Sequence, residues 1–424
     1  MADSTVFALD EGERRELLER FLRYIALDTH SSETSETFPS TEGQWDLLRL
    51  LEAELYALGL GDVELDEHGY LFATLPANLP EGQEAPTVGF LAHVDTYPST
   101  PGKCENPQVI EGYDGGDIPL RGAPGRFLKA SENPLLRKCV GDTVITTDGT
   151  TLLGADDKAG VAEIVTGLAW LLRHPEVHHG KIRVAFTPDE ETGKGMRFFD
   201  VKKFGADVAY TFDGSVLGEI EVETFNADAV QITVKGEDTH PGTAKGRMVN
   251  ALRAAARLLD RLPQKHLPET TEGRESFLHP YAIQGEVGMV SIQALVRAFT
   301  REDLRQREED LLRIAKETEA AFPGCSVEVR FEESYRNMKE VLDRHPAVVE
   351  KAVEAVRLSG LEPVLGAIRG GTDGAHLCFQ GLPTPNVFAG GVNFHGVTEW
   401  VSLRWMAKAV ETFLHLARLW GRSA

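Results

Sequence analysis

Apolar positions along this chain fall into two regimes. Residues 11 to 28 and 43 to 58 carry them three and four apart, the spacing that puts one face of a helix against a core. Short continuous apolar runs follow: PTVGFLAHVDT, KIRVAFTPDEE, DVAYTFDG and PNVFAGGVNFHG, each about the length of a strand buried on both faces. The stretch AGVAEIVTGLAWLLRH, after residue 158, predicts a helix between two of these strands. Such alternation predicts an α/β fold: a mostly parallel sheet with helices on both faces.

From about residue 226 to 336 the pattern changes. AVQITVKG alternates with period two, MVNALRAAARLLDRL is amphipathic with helical period, and GMVSIQALVRAFT offers more strand. A long charged helix, EDLRQREEDLLRIAKETEAAF, and a last strand, CSVEVRFEES, complete a small α+β unit of ferredoxin-like order. Residues 98 to 142 are rich in Gly, Pro and Asp with weak periodicity and predict a long surface excursion.

The chain has 424 residues, too many for one ordinary domain, and its 42% hydrophobic content can fill more than one core. A formal charge of −22 speaks against nucleic acid and anionic membranes as partners, since both select basic patches. No run approaches the roughly 18 apolar residues of a membrane span. The opening MADSTVFALDEGERRELLERF lacks a basic segment followed by an apolar one, so no signal peptide is expected. Cys104, Cys139, Cys325 and Cys378 are scattered and form no CxxC, which fits free thiols in a reducing cytoplasm.

Chemistry gathers at the ends of the apolar runs. His93 and Asp95 end VGFLAHVD, Asp156 and Asp157 sit in LLGADDKAG, and Glu190 and Glu191 follow KIRVAF. Asp213 ends DVAYTF, and His395 ends VFAGGVNF. Alone, each has a plain structural explanation: a turn, a helix cap, a hydrogen-bonded histidine. Together they point to one site, because open α/β sheets bind ligands outside the carboxyl ends of their strands. Two imidazoles with several carboxylates and no thiolate suit Zn, Mn or Co. The acids are too many for one closed structural zinc; two ions about 3.5–4 Å apart would use them all and offset their repulsion. The pair Glu190-Glu191 then divides its labour: Glu191 grips an ion while Glu190 takes a proton from the attacking water. Since Asp213 and His395 must meet, residues 226–336 become a lid inserted into a discontinuous catalytic domain of residues 1–225 and 337–424. GxSxG and HExxH are absent, which removes the common serine-hydrolase and thermolysin-like alternatives.

HVDT, TTDGTTLLGADDKAGVAEI, FTPDEETGKG, YTFDGSVLGEIEVETFNA, EDTHPGTAKG, RGGTDGAHL and NFHG together resemble the dinuclear-zinc aminopeptidase and acylase superfamily, over essentially the whole chain. The long excursion ending in TTDGTTLLG is similar to that of its peptidase T branch. The resemblance implies a cytoplasmic tripeptide aminopeptidase with two Zn2+ per subunit, Mn2+ or Co2+ being alternatives. His93 and Asp213 would hold one ion, Glu191 and His395 the other, with Asp156 bridging, Asp157 supporting and Glu190 as general base. Asp95 would orient His93. His240, in THPGT, would stabilise the oxyanion from its own or a neighbouring subunit, and Arg369 would receive the peptide carboxylate. Superfamily members often dimerise through the smaller domain, so a homodimer is a further expectation. The pattern departs at Val397, where a basic residue is usual, while His395 and Glu399 match. Rival readings are an N-acyl amino acid amidohydrolase, a dipeptidase, or a non-catalytic peptide-binding protein on the same scaffold.

Overall fold

The computed structural model describes residues 7–422. The chain divides into two compact units: one runs to Val222 and includes Glu340–Gly366 and the chain from Thr372, the other comprises Glu223–Lys339 and Ala367–Gly371. The second unit extends a few residues beyond the expected 226–336 at each end and takes in a short stretch far along the chain.

The first unit is built on an eight-stranded sheet, ordered Gly61–Leu65, Leu71–Leu75, Ile182–Thr187, Val88–His93, Val208–Gly214, Asn386–Phe388, Glu219–Thr224, Val364–Ile368. Its four central strands, from Ile182–Thr187 to Asn386–Phe388, are parallel neighbours. The flanks are not: Gly61–Leu65, Leu71–Leu75 and Glu219–Thr224 pair antiparallel, so the sheet is mixed outside the parallel centre the apolar runs predict. Along the central strand, neighbours face opposite ways. Phe90 and Ala92 enter a core with helices Glu11–Ile25, Ala155–Arg173 and Leu403–Gly421, whereas Leu91 enters another with Tyr70, Phe199 and Phe204. Two apolar faces on one sheet give three layers, as the continuous runs require.

Helix Ala155–Arg173 is buried over nearly its whole length, the mark of a helix in mid-core rather than at a surface. It starts four residues before the predicted position and is irregular there: Asp156 and Asp157 are non-helical and joined by a cis peptide bond. Glu11–Ile25 begins with a reciprocal cap, in which Asp10 accepts from the Glu13 amide and Glu13 from that of Asp10.

The expected excursion at 98–142 is structured rather than a plain surface loop. Short strands and a 3-10 turn at Pro134–Cys139 pack Tyr113, Ile118, Leu128 and Leu136 against Trp400 and Trp405. Strand Gln108–Ile110 pairs with Val144–Thr146, which pairs with Trp400–Ser402. Strands of two or three residues are too short to show a period, which is why the pattern looked irregular.

The second unit runs strand, helix, strand, strand, helix, strand over Asn226–Lys235, Ala251–Asp260, Phe277–Gly285, Met289–Ala298, Arg301–Ala321 and Ser326–Tyr335. Its antiparallel sheet is ordered third-strand-inward (Phe277–Gly285, Met289–Ala298, Asn226–Lys235, Ser326–Tyr335), the expected ferredoxin-like arrangement. Val230, Ile232 and Val234 alternate into its core with Val290, Ile292, Ala254 and Leu258. Among the described residues no helix is long and apolar enough to cross a membrane.

Candidate metal centre

Strands Ile182–Thr187, Val88–His93 and Val208–Gly214 run parallel side by side, with His93 level with Thr187. Their carboxyl ends therefore open on one edge, which gathers His93, Asp213 and, three residues past Thr187, Glu190 with Glu191. The irregular first turn of Ala155–Arg173 adds Asp156. His395 arrives differently: it stands in a turn beyond the two-residue strand Gly391–Val392, in left-handed backbone with φ of 62°.

The atoms that meet are almost all acceptors. Nδ1 of His93 lies 3.1 Å from the carbonyl oxygen of Asp95 and 3.3 Å from its Oδ1. A carbonyl only accepts, so Nδ1 carries a hydrogen and Nε2 is the nitrogen turned toward the acids, the one that would offer a lone pair to a cation once its proton is displaced. That Nε2 is 3.0 Å from Oδ1 of Asp156 and 3.5 Å from Oδ1 of Asp213. Nε2 of His395 is 3.2 Å from Oδ2 of Asp156 and 3.0 Å from Oε2 of Glu191. Asp156 thus gives one oxygen to each imidazole, the arrangement a bridge needs, and Oε1 of Glu191 is buried without a hydrogen-bond partner.

Acceptors crowded in this way repel unless protons or cations lie between them. The proton equilibria bear this out. Burial would lower the His93 imidazole, yet hydrogen bonds to Asp156 and Asp213 hold it well above its ordinary value. His395, likewise opposed by burial, is raised to about 11 by Asp156 and Glu191. Burial lifts Glu191 to about 8 and Asp213 to about 6, each reinforced by the Asp156 charge. Asp156 alone among the four acids that meet there is lowered: burial opposes ionisation, but the two imidazoles outweigh it. Glu190 is raised by burial, with Asp213, Asp373 and Glu191 adding to it. Nitrogen and carboxylate donors with no thiolate, an orphaned carboxylate oxygen and protons held where charge is unfavourable all fit divalent cations.

Other side chains hold this edge in place. Asp95 is fully buried, and its carboxylate accepts the backbone N–H of Glu190 at 3.0 Å and of Glu191 at 3.2 Å. One residue therefore touches both the His93 ring and the paired glutamates. Asp157 accepts from the His93 amide at 3.1 Å and the Gly160 amide at 3.3 Å, which spends its oxygens on backbone beside the metal-facing Asp156. The amide of Asp213 donates to Oδ1 of Asn386 at 3.1 Å.

The sequence pattern did not single out Tyr97 or Asp189. Tyr97 stacks on the His395 ring with centroids 4.2 Å apart and planes within 3°, and supports a half-exposed imidazole that no strand positions. Its signal was adjacency to HVDT. Asp189, just before Glu190, adopts φ of 58° and accepts from the Ser40 amide, the Ser40 hydroxyl and, at 2.8 Å, Gln44 Nε2. These partners are distant in sequence, so no local pattern could mark it.

His240 and Arg369 belong to the second unit. His240 is exposed at the start of the turn Pro241–Thr243, and its Nδ1 accepts from the Gly242 amide at 3.1 Å. The Arg369 guanidinium donates to the carbonyls of Gly273 and Glu275 at 2.7 and 3.2 Å and to Thr271 Oγ1 at 3.0 Å, over the ring of Phe225.

Strand-end acids and imidazoles around a two-faced aspartate, with a further glutamate beside them, define a metal-dependent hydrolase class of site. The chain belongs to peptidase family M20/M25/M40, whose model matches residues 154–419. It is similar to peptidase T of Geobacillus thermodenitrificans strain NG80-2, with 48% identity over 406 residues, 96% of this chain and 98% of the relative. Aminopeptidase PepT from Bacillus cereus ATCC 10987 shares the fold at a TM-score of 0.74 and 24% identity, over 96% of this chain and 99% of that one. So does the YXEP protein of Bacillus subtilis, a dinuclear metal-binding peptidase from family M20, at a TM-score of 0.63 and 15% identity, over 97% and 99%.

Proposed function

We propose that this chain is an aminopeptidase that releases the N-terminal residue of tripeptides. Near-half identity to a peptidase T along nearly its whole length supports the activity. The observation that carries the reading of the site is Asp156, whose two oxygens face two different imidazoles while Glu190 stands next to Glu191. His93 and Asp213 would hold one divalent ion, Glu191 and His395 the other, and Asp156 both. When bound, such ions supply a water acidified to near neutrality and an electrophilic pull on the scissile carbonyl.

Glu190 takes the proton of the attacking water and returns it to the leaving amine. Its amide, held by Asp95, fixes the carboxylate near the ligands without using it as one. His240 donates to the oxyanion that develops on the substrate. Arg369 receives the peptide carboxylate in exchange for the carbonyls of Gly273 and Glu275 that now occupy its guanidinium. The four unpaired cysteines support a cytoplasmic setting.

Glu190→Gln is the direct test. We expect kcat to fall by roughly 10²–10⁴-fold with two ions per chain retained. Full activity in that variant would overturn the general-base role. A panel of di-, tri- and tetrapeptides and N-acyl amino acids tests the substrate class, with tripeptides expected to be cleaved fastest.

A further inference from the structure

Glu399 has no place in the ligand set, yet it is among the most enclosed charged side chains of the first unit, with 1% exposure. Both of its oxygens are spent on backbone from another part of the chain. Oε2 accepts the amides of Leu153 and Gly154, each at 2.8 Å, and Oε1 accepts the amide of Asp156 at 3.1 Å. Three N–H groups converging on one carboxylate form a nest, and such bonds are stronger than those between neutral partners.

The contact follows from sheet register. Trp400–Ser402 pairs with Val144–Thr146, Trp400 opposite Thr146, so the residue before Trp400 lies beside the chain leading to Leu153. Four residues before Glu399 is His395, and the intervening turn is closed by the Glu399 amide on the Gly396 carbonyl at 3.1 Å. The nest and the turn together tie the backbone of Asp156 to the backbone that presents His395. These are two of the three side chains assigned to the second ion.

We propose that Glu399 is a positioning residue for that ion: it sets the Asp156 bridge and the His395 turn at a fixed separation before metal arrives. The proposal rests on the two-ion reading above. It concerns separation rather than ligation, because the Glu399 oxygens face amides and not the open edge of the sheet.

The test compares wild type with Glu399→Gln, both stripped of metal and titrated with Co2+. Uptake is followed by calorimetry and by the visible spectrum. Glutamine keeps one oxygen for Leu153 and Gly154 but turns an NH2 toward the Asp156 amide, donor against donor. The expected result is a first Co2+ bound within about 2-fold of wild type and a second bound roughly 10–100-fold more weakly, the usual range when an outer partner of a ligand is lost. The ligand-field bands of the two-ion form should also change. Glu399→Asp keeps the charge but withdraws it by one methylene, and is read in the same way if the glutamine variant does not fold. Both ions binding as in wild type with an unchanged spectrum, whatever the melting temperature, overturns the proposal and leaves Glu399 a general stabiliser. A wild type that takes up fewer than two Co2+ overturns the two-ion reading and this proposal with it.

Discussion

His93 and His415 are equally sealed from water, at 3% and 0% exposure, one at the ligand edge and the other in helix Leu403–Gly421. Their protons behave in opposite ways. His93 sits among Asp156, Asp213 and Asp95 and is raised well above its ordinary value in spite of burial. His415 meets burial and the Arg418 charge, packs on Phe7 and falls to about 3. Enclosure beside positive charge makes an imidazole neutral and inert; a ring of acids makes the same group hold a cation. A functional histidine is thus recognised by the company of acceptors that cannot satisfy one another.

Exchanging the two roles should break or sharpen this contrast. His93→Ala should abolish activity, with a loss of at least about 10³-fold, and reduce the bound metal, whereas His415→Phe should keep both. Metal analysis with a peptide assay reads this, and full metal content in His93→Ala would remove the residue from the ligand set. Next in size is the pH dependence of metal uptake. In the metal-free protein Glu191, held at about 8, and His395, held at about 11, carry protons that a cation must expel. Affinity should therefore climb by on the order of 10-fold per pH unit or more between about 6 and 8. Calorimetry in buffers of different ionisation enthalpy should register proton release, and pH-independent affinity would contradict the crowding of acceptors.

His415 gives the smaller, opposite signature. Its folded pKa, about 3, lies below the ordinary 6.5, so its neutral form stabilises the fold fully above pH 6.5. As pH falls from 6.5 toward 3 the unfolded chain takes up a proton that the folded chain refuses, and stability is lost. The contribution is on the order of 3–5 kcal/mol at most. Urea unfolding at pH 7 and pH 4.5 should show a shallower loss in His415→Phe than in wild type. Smallest of all, Tyr97→Ala should weaken only the ion assigned to His395, by about 10-fold, while Tyr97→Phe keeps the stacked ring and the affinity.

The parallel heart of the sheet and the alternation of strands and helices in the second unit were legible because most of their strands carry strong periodic signals: continuous in Val88–His93, alternating in Asn226–Lys235. Edge strand Phe277–Gly285 was not legible, since its last five residues are exposed on both faces and carry no pattern. Nor were the antiparallel flanks, whose direction depends on distant partners. In the site, residue types at the ends of apolar runs, and in the turn that opens helix Ala155–Arg173, marked His93, Asp156, Glu191, Asp213 and His395 as a group. What the pattern could not reveal was the scaffolding: Asp95 reaching the amides of Glu190 and Glu191, or Glu399 reaching Asp156, are side-chain-to-backbone contacts between remote segments. A hydrogen bond to an amide imposes no residue type on its partner and so leaves no trace there.

Strand Asn386–Phe388 is threaded between Val208–Gly214 and Glu219–Thr224, two strands that are close neighbours in sequence. During synthesis both flanking strands are made long before the one that separates them. A growing chain must keep that slot open, or fill it wrongly, until residue 388 leaves the ribosome. Maturation is therefore ordered in time: the sheet is complete only once the late strand is in place, and His395, made later still, is the last of the clustered side chains to join the site.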